Sequence, residues 1–150
     1  MIEVMISVAI LSFSMLGIAM LQAKSADFNH TAFLRSIALA QATSMVDRMR
    51  ANAPATNTQV FSGFDFSNKV STPNCTVCSS TDRAAKDIAE WQQATSDYLP
   101  SGRGLITFDA ASNTYSVQVM WDGTKSGATG TGCSNNTSID LSCVRINLRL

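Results

Sequence analysis

The four cysteines are the residues of this chain whose types and spacing most readily suggest chemistry. Cys75 and Cys78 have the Cys-x-x-Cys spacing of thiol redox motifs, and Cys133 and Cys143 enclose nine residues near the end of the chain. A redox pair is expected where a strand leads into a helix of a βαβ pattern, but the turn-forming stretch NKVSTPN precedes Cys75. We therefore predict structural disulfides, most simply Cys75–Cys78 and Cys133–Cys143, although four cysteines allow three pairings. A membrane-tethered thiol oxidoreductase that uses Cys75 and Cys78 is the alternative from a different functional class.

The remaining residues offer little for catalysis or metal binding. His30 is the only histidine, and we expect a solvated side chain on a helix. The sequence contains no G-x-S-x-G nucleophile motif, no H-E-x-x-H metal motif and no glycine-rich phosphate loop. Zinc sites usually combine two closely spaced ligand pairs, and Cys133 with Cys143 does not supply the second pair. We predict that the protein is not an enzyme and uses neither a metal nor a cofactor.

The charge balance argues against nucleic acid as a partner. The chain has 11 Lys and Arg residues and 11 Asp and Glu residues, so its formal net charge is zero. Domains that bind nucleic acid usually carry a basic face. Glu3 is the one charged side chain before Lys24.

The chain begins with an apolar segment long enough to cross a membrane. Residues from Val4 to Ala23 carry no charge, and about 20 apolar residues span the hydrocarbon core of a bilayer. A signal peptide has a shorter apolar region after a basic start, which is not the pattern here. We predict a retained membrane helix over residues 1–23 and a globular domain over residues 24–150. The apolar side chains expected on this helix are Val4, Ile6, Val8, Ile10, Leu11, Phe13, Leu16, Ile18 and Leu21.

The compartment of the globular domain follows from the cysteines. All four lie beyond the apolar segment, and disulfides form in oxidising compartments such as the bacterial periplasm. The positive-inside rule points the other way, because Lys24 and Arg35 follow the segment and no basic residue precedes it. A basic leader upstream of Met1 would remove this conflict.

The helical signal continues beyond the apolar segment. Residues from Gln22 to Ala53 include no proline and no glycine, and strong helix formers dominate there. We predict one helix of about 50 residues that ends before Pro54. Apolar residues at steps of three and four predict the stripe that packs on the domain: Leu34, Ala38, Ala42, Met45 and Met49.

A second helix is predicted after residues 54–80, which are rich in turn formers. Its candidate caps are Ser80, Thr81 and Asp82, and Lys86 with Glu90 forms a plausible i,i+4 pair. The near-helical spacing of four apolar residues indicates its inward face: Ala84, Ile88, Trp91 and Tyr98.

The last third of the chain predicts a small antiparallel sheet. Residues 105–109, 115–121 and 144–150 form three strands, the last two with clear alternation of side chains. Strands this close in sequence favour antiparallel pairing. A long helix packed on such a sheet, with a second short helix, is an α+β fold.

Several stretches resemble the type IV pilins. MIEVMISVAIL matches the end of the family's processing motif, in which Gly is followed by Phe-Thr-Leu-Ile-Glu-Val. Ile2, Glu3 and Val4 are identical, and Met1 stands at the Leu position. Farther along, SMLGIAMLQAKS, ALAQATSMVDRMRAN, DIAEWQQATSDYLPSGRG and YSVQVMWD resemble the PilV family of minor pilins, the type IV pilus modification proteins. The resemblance covers most of the chain except residues 54–74 and 123–142.

The resemblance implies a pilin-like fold and a role in priming or modifying pilus assembly, in support of motility or adhesion. In pilins the glutamate at this place pairs with the N-terminal amine of a neighbouring subunit as the helices bundle, so Glu3 is the expected assembly residue. The implied partners are other minor pilins and the major pilin. The implied locations are the inner membrane before assembly, with the domain in the periplasm, and then the pilus on the cell surface.

A second family shares these features, and part of the processing motif is missing from the sequence. A minor pseudopilin of a type II secretion system shares the helix and a similar small sheet, and it is the closest alternative. The Gly and Phe of the processing motif are missing, so we expect either a start farther upstream with a basic leader or a shortened chain.

Overall fold

The structure is a computed structural model and describes residues 2–66, 70–74 and 76–149. It divides into two compact units, the first ending at Phe33 and the second beginning at Leu34. One helix, α1 (Ile2–Ala51), supplies the first unit and the start of the second. The prediction of a single helix of about this length is therefore confirmed.

The second unit contains the other elements. In chain order they are α2 (Ala53–Asn57), β1 (Phe64–Asp65), α3 (Ser80–Tyr98), β2 (Arg103–Asp109), β3 (Thr114–Trp121) and β4 (Ser142–Arg149). The four strands form one antiparallel sheet in the order β1-β2-β3-β4, so the predicted α+β class is confirmed. The sequence predicts three strands and an irregular chain over residues 54–80. The structure adds α2 and the short strand β1, which pairs with Leu105 and Ile106.

The core of the second unit forms where α1 and α3 pack on the inner face of the sheet. The predicted stripe of α1 is buried there, with no member more than 5% exposed: Leu34, Ala38, Ala42, Met45 and Met49. Ile106, Val117 and Val119 of the sheet are fully buried in the same cluster. The small residues Ala38 and Ala42 let α1 approach closely, while the flexible methionines can fill irregular gaps.

The ends of α3 differ from the sequence-based expectation. Its N-cap is Ser79, whose Oγ accepts a hydrogen bond from the Asp82 backbone N–H (3.1 Å) and donates one to the Asp82 carboxylate (2.7 Å). The predicted caps Ser80, Thr81 and Asp82 lie within the helix. Tyr98 ends α3 and is 63% exposed, because the inward position of the last turn is taken by Thr95.

Trp91 joins three elements of the core. Its indole Nε1 donates a hydrogen bond to the backbone oxygen of Gln41 in α1 (2.9 Å), and its ring lies 6.0 Å from that of Phe64. Gly104 of β2 packs so tightly on the indole that a Cβ there would collide with the ring. Trp91 therefore fixes α3 against both α1 and the sheet edge.

An ion-pair cluster supports the same helix contact at the surface. Arg48 of α1 lies 2.8 Å from a carboxylate oxygen of Asp87 and 2.8 Å from one of Glu90, both in α3. The hydrogen bond to Glu90, reinforced by Asp87 and opposed by burial, raises the pKa of Arg48. Sequence analysis pairs Glu90 with Lys86, but Glu90 contacts Arg48 instead.

The connection from β3 to β4 is organised by two carboxylates. Asp122 is buried and accepts hydrogen bonds from the backbone N–H groups of Ser126 (3.0 Å) and Gly127 (2.8 Å). Asp140 accepts from those of Gly132 (3.3 Å) and Ser134 (3.1 Å). The connection, residues 122–141, is therefore an ordered loop that we call the Asp122 loop.

The Asp122 loop covers the second face of β3. Met120 lies at 0% exposure in a cluster with Ala128 and Leu141 of the loop. The predicted disulfide between Cys133 and Cys143 is present, with a Cα–Cα distance of 5.7 Å, and both cysteines pack against this cluster. Both faces of β3 are thus covered over this part of the strand.

Opening the Cys133–Cys143 disulfide is expected to destabilise the second unit. For a loop of about ten residues, the chain-entropy model gives roughly 2–3 kcal/mol of stabilisation. We expect the double variant Cys133→Ala/Cys143→Ala to lose that amount in urea unfolding. The exposed Ser138→Ala in the same loop is the control and should leave the midpoint unchanged. An unchanged midpoint in the double variant would contradict the prediction.

The Asp122 loop is also expected to loosen in acid. Burial tends to raise the pKa of Asp122, but hydrogen bonds from Gly127, Ser126 and Thr124 outweigh it and lower that pKa. Hydrogen bonds from Ser134 and Gly132, opposed by burial, lower the pKa of Asp140. The folded pKa of each group therefore lies below the unfolded value of about 3.9.

The sign of the pH effect follows from these lowered pKa values. The stabilisation is complete above pH ~3.9 and is lost as the pH falls through the folded pKa values. We expect the amide signals of Gly127 and Gly132 to shift in that acid range and to lose protection against exchange, relative to the intrinsic exchange rate at each pH. Asp122→Asn should remove the pH dependence of the Gly127 signal, and Asp140→Asn should remove that of the Gly132 signal. If the pH dependence were unchanged in these variants, protonation of the two carboxylates would not be its cause.

Candidate functional site

The first part of α1, as far as Ala23, exposes apolar side chains on every side of the helix. Its large apolar side chains as far as Leu21 are between 54% and 78% exposed. They include all the predicted members of the apolar helix: Val4, Ile6, Val8, Ile10, Leu11, Phe13, Leu16, Ile18 and Leu21. A continuous exposed apolar surface of this extent is rare in soluble monomers and is typical of segments that contact lipid or other helices.

Three serines within this surface are adapted to an apolar environment. The hydroxyls of Ser7, Ser12 and Ser14 donate hydrogen bonds to the backbone oxygens four residues earlier, at 2.8, 2.8 and 3.0 Å. A hydroxyl satisfied within its own helix costs much less in a bilayer or a helix bundle than an unpaired one. The serines therefore do not prevent burial of this segment.

The segment meets the length and hydropathy expected of a membrane span. α1 contains a window with a mean hydropathy of 2.4, none of which is buried. A single apolar helix near the start of the chain thus could anchor the protein in a membrane as one pass. Gly17 lies within it, with open space around its Cα.

Glu3 lies in the first turn of α1 and is exposed. A carboxylate there interacts favourably with the helix dipole, an effect worth about 0.3–1 kcal/mol at exposed positions. The next charged side chain is Lys24, whose ammonium lies 5.9 Å from the ring centroid of Phe28. Among the described residues, Glu3 is therefore the one charged side chain before Lys24 along α1.

Exposed apolar residues continue beyond the predicted membrane segment. Phe28 is 66% exposed and Phe33 is 61% exposed, although sequence analysis assigns neither to an interaction surface. The sequence could have indicated this exposure, because Phe28 and Phe33 are large aromatic residues on the predicted helix and precede the apolar stripe that begins at Leu34. The start of the packed unit at Leu34 leaves these two rings in the first unit.

The other predicted site residues lie in the second unit. The helix–sheet stripe is buried in the core, and Cys133 and Cys143 are joined at the end of the Asp122 loop. Cys78 is disulfide-bonded, whereas Cys75 lies outside the described residues, and so does the predicted Cys75–Cys78 pair. Cys133 and Cys143 belong to the second unit, and Glu3 belongs to the first.

The described side chains that could bind a metal ion are those of His, Cys, Asp and Glu. His30 is exposed on α1. Among residues 2–66, 70–74 and 76–149, no group of three or more His, Cys, Asp or Glu side chains is placed to bind a metal ion.

No family model, no curated protein and no solved structure matches the chain.

Proposed function

We propose that this protein is a non-enzymatic minor pilin of the PilV kind, which primes or modifies assembly of a type IV pilus at or near its tip. The observation that carries the proposal is α1 itself. Its first part exposes apolar side chains on all sides behind a single carboxylate, and the same helix ends as the core helix of an α+β unit.

The proposed mechanism uses one surface in two environments. Before assembly, the apolar part of α1 lies in the inner membrane and the second unit lies in the periplasm. During assembly, the apolar side chains exchange lipid for the helices of other minor pilins and the major pilin. Lipid and the helix bundle are both apolar, so the hydrophobic effect does not favour one over the other. Helix packing and polar pairing must therefore provide the free energy that favours the filament.

Glu3 is the polar group that can supply that preference. An ionised carboxylate within an apolar helix bundle is costly unless it meets an opposite charge. In the proposed filament it pairs with the N-terminal amine of a neighbouring subunit. The charge then selects both the partner and the axial register of the helices.

The oxidising periplasm is consistent with the cysteines. A disulfide closes the Asp122 loop, and such bonds persist in that compartment. This supports an anchor with the second unit on the periplasmic side, from which the chain passes to the pilus on the cell surface.

The proposal is tested by deleting the gene in its native bacterium and restoring it on a plasmid. We expect the deletion to reduce surface pili and twitching motility, and antibodies against the second unit should detect the protein in sheared pili of the complemented strain. Loss of type II secretion with normal pili would instead identify a pseudopilin. Normal pili, normal motility and absence from sheared filaments would overturn the proposal.

A further inference from the structure

A groove runs along the outer side of α3 in the second unit. It has a volume of about 850 Å³, within the range of 300–1,000 Å³ typical of small-molecule sites. Its lining consists of residues of α3, of Phe66, Val70 and Thr72, and of Gly102 and Arg103 where β2 begins. We call it the α3 groove, and neither α1 nor the disulfide contributes to it.

The polar side chains of the α3 groove are held in place. Gln93 Nε2 donates to an Asp97 carboxylate oxygen (2.9 Å), and Gln92 Nε2 donates to the backbone oxygen of Phe66 (3.3 Å). The guanidinium of Arg103 stacks on the Phe66 ring, 4.7 Å from its centroid, and donates to the backbone oxygen of Thr129 (3.3 Å). Each side chain keeps further donor or acceptor capacity on its remaining atoms.

An exposed aromatic ring lies beside these polar groups. Tyr98 is 63% exposed at the end of α3, although the spacing of α3 would have placed it inward. The turn that follows contains Ser101 in the left-handed region, with φ at 51°. This turn brings Arg103 back to the groove because Gly102 passes close to the Thr95 backbone oxygen, where a Cβ would collide.

The chemistry of the α3 groove excludes several ligand classes. An anion is disfavoured, because Glu90 and Asp97 line the groove and, among its described lining residues, Arg103 is the one basic side chain. A wholly apolar ligand would leave the amides of Gln92 and Gln93 unpaired, at a cost in free energy. The carboxylate of Glu90 is already paired with Arg48, so the groove is not arranged around a free cation either.

We propose that the α3 groove binds a pyranose sugar. Each sugar hydroxyl both donates and accepts hydrogen bonds, which matches the mixture of amide, carboxylate and guanidinium groups. The apolar C–H face of a pyranose ring can lie on an exposed aromatic such as Tyr98, which combines an apolar body with a polar end. The inference does not depend on the proposed role in pilus assembly.

The test uses the full chain in dodecylphosphocholine micelles, a detergent without a sugar headgroup. Methyl β-glucoside, methyl β-galactoside, methyl β-N-acetylglucosaminide and lactose are titrated separately, and NMR follows the side-chain amides of Gln92 and Gln93. For a small open site we expect saturable shifts with a Kd of about 1–10 mM for at least one of these sugars. Sorbitol, which has hydroxyls but no ring, should cause no saturable shift.

Matched variants locate the binding. Tyr98→Ala should weaken it by roughly tenfold, whereas Ile139→Ala, which removes a side chain of the same 63% exposure elsewhere on the unit, should not. Asp97→Asn should weaken binding while the core amide signals of Val117 and Val119 stay unchanged. The proposal is overturned if no sugar shifts these signals up to about 100 mM, or if sorbitol binds equally well. It is also overturned if the tetrapeptide Gly-Ser-Gly-Ser binds in place of the sugars, or if Tyr98→Ala binds as the wild type does.

Discussion

Replacing Trp91 with alanine is expected to lower the free energy of unfolding of the second unit by about 3–5 kcal/mol. The indole is 1% exposed in the core, and its removal leaves a large cavity between α3, α1 and Gly104. The variant also loses the hydrogen bond to the Gln41 backbone oxygen. Because small domains are stable by only 5–15 kcal/mol, much of the available stability would be lost.

The size of the Trp91 effect can be divided into packing and hydrogen bonding. Trp121 is similarly buried, but within the described part of the chain its Nε1 has no hydrogen-bond partner. Trp91→Phe should therefore cost about 1 kcal/mol more than Trp121→Phe. Urea unfolding followed by the fluorescence of the remaining tryptophan measures both. Equal midpoints would show that the bond to Gln41 contributes nothing to stability.

The long helix and the sheet could be predicted because their signals are local. No proline interrupts the chain before Pro54, and the stripe from Leu34 to Met49 repeats at helical spacing. The alternation through β3 and β4 likewise identifies two strands. Each of these patterns lies within a single stretch of sequence, where the period of the apolar residues decides the element.

The elements that escaped prediction depend on distant partners. β1 is two residues long and exists through its pairing with β2, about 40 residues later. Glu90 has Lys86 one turn away, yet it contacts Arg48, 42 residues earlier in the chain. Local spacing cannot anticipate such partners, because the alternative contact appears only when α1 and α3 pack together.

The burial of the second face of β3 could not be predicted either, because it also depends on a distant part of the chain. Alternation along β3 separates its side chains into two faces, but it does not indicate what covers each face. Met120 is buried by the Asp122 loop, whose path is set by hydrogen bonds from backbone N–H groups to Asp122 and Asp140. A Gly- and Ser-rich stretch of this kind suggests an irregular connection in sequence, while its order comes from two specific carboxylates.

The candidate site was the part most accessible from sequence, because its surface consists of consecutive residues. Apolar length and one leading glutamate suffice to identify it. What the structure adds is the exposure of Phe28 and Phe33 beyond the predicted segment and the internal hydrogen bonds of Ser7, Ser12 and Ser14. The α3 groove, in contrast, could not be anticipated, because Tyr98 was expected to face inward.

Glu3→Ala is expected to leave membrane insertion intact and to abolish entry into filaments. Removing a charge from the end of an apolar helix makes insertion easier, since an acidic residue at the bilayer centre costs roughly 2.5–3.5 kcal/mol and less near an interface. In the proposed filament, however, the variant leaves a partner amine unpaired in an apolar bundle. Breaking one side of a buried ion pair costs about 3–5 kcal/mol, which corresponds to a more than hundredfold loss of incorporation.

The size of the loss of incorporation distinguishes this role from the alternative, in which Glu3 only interacts favourably with the helix dipole. A dipole contribution of about 0.3–1 kcal/mol would reduce incorporation less than about sixfold, and Glu3→Gln would behave almost as the wild type does. Under the pairing model, Glu3→Gln should fail as completely as Glu3→Ala.

Asp27→Ala is the matched control, because it removes a carboxylate from the same helix outside the apolar segment and should assemble normally. The variants are placed in the complete gene of a deletion strain, and membrane abundance and surface pili are scored separately. Normal piliation by Glu3→Ala at normal membrane abundance would eliminate the assembly role of Glu3.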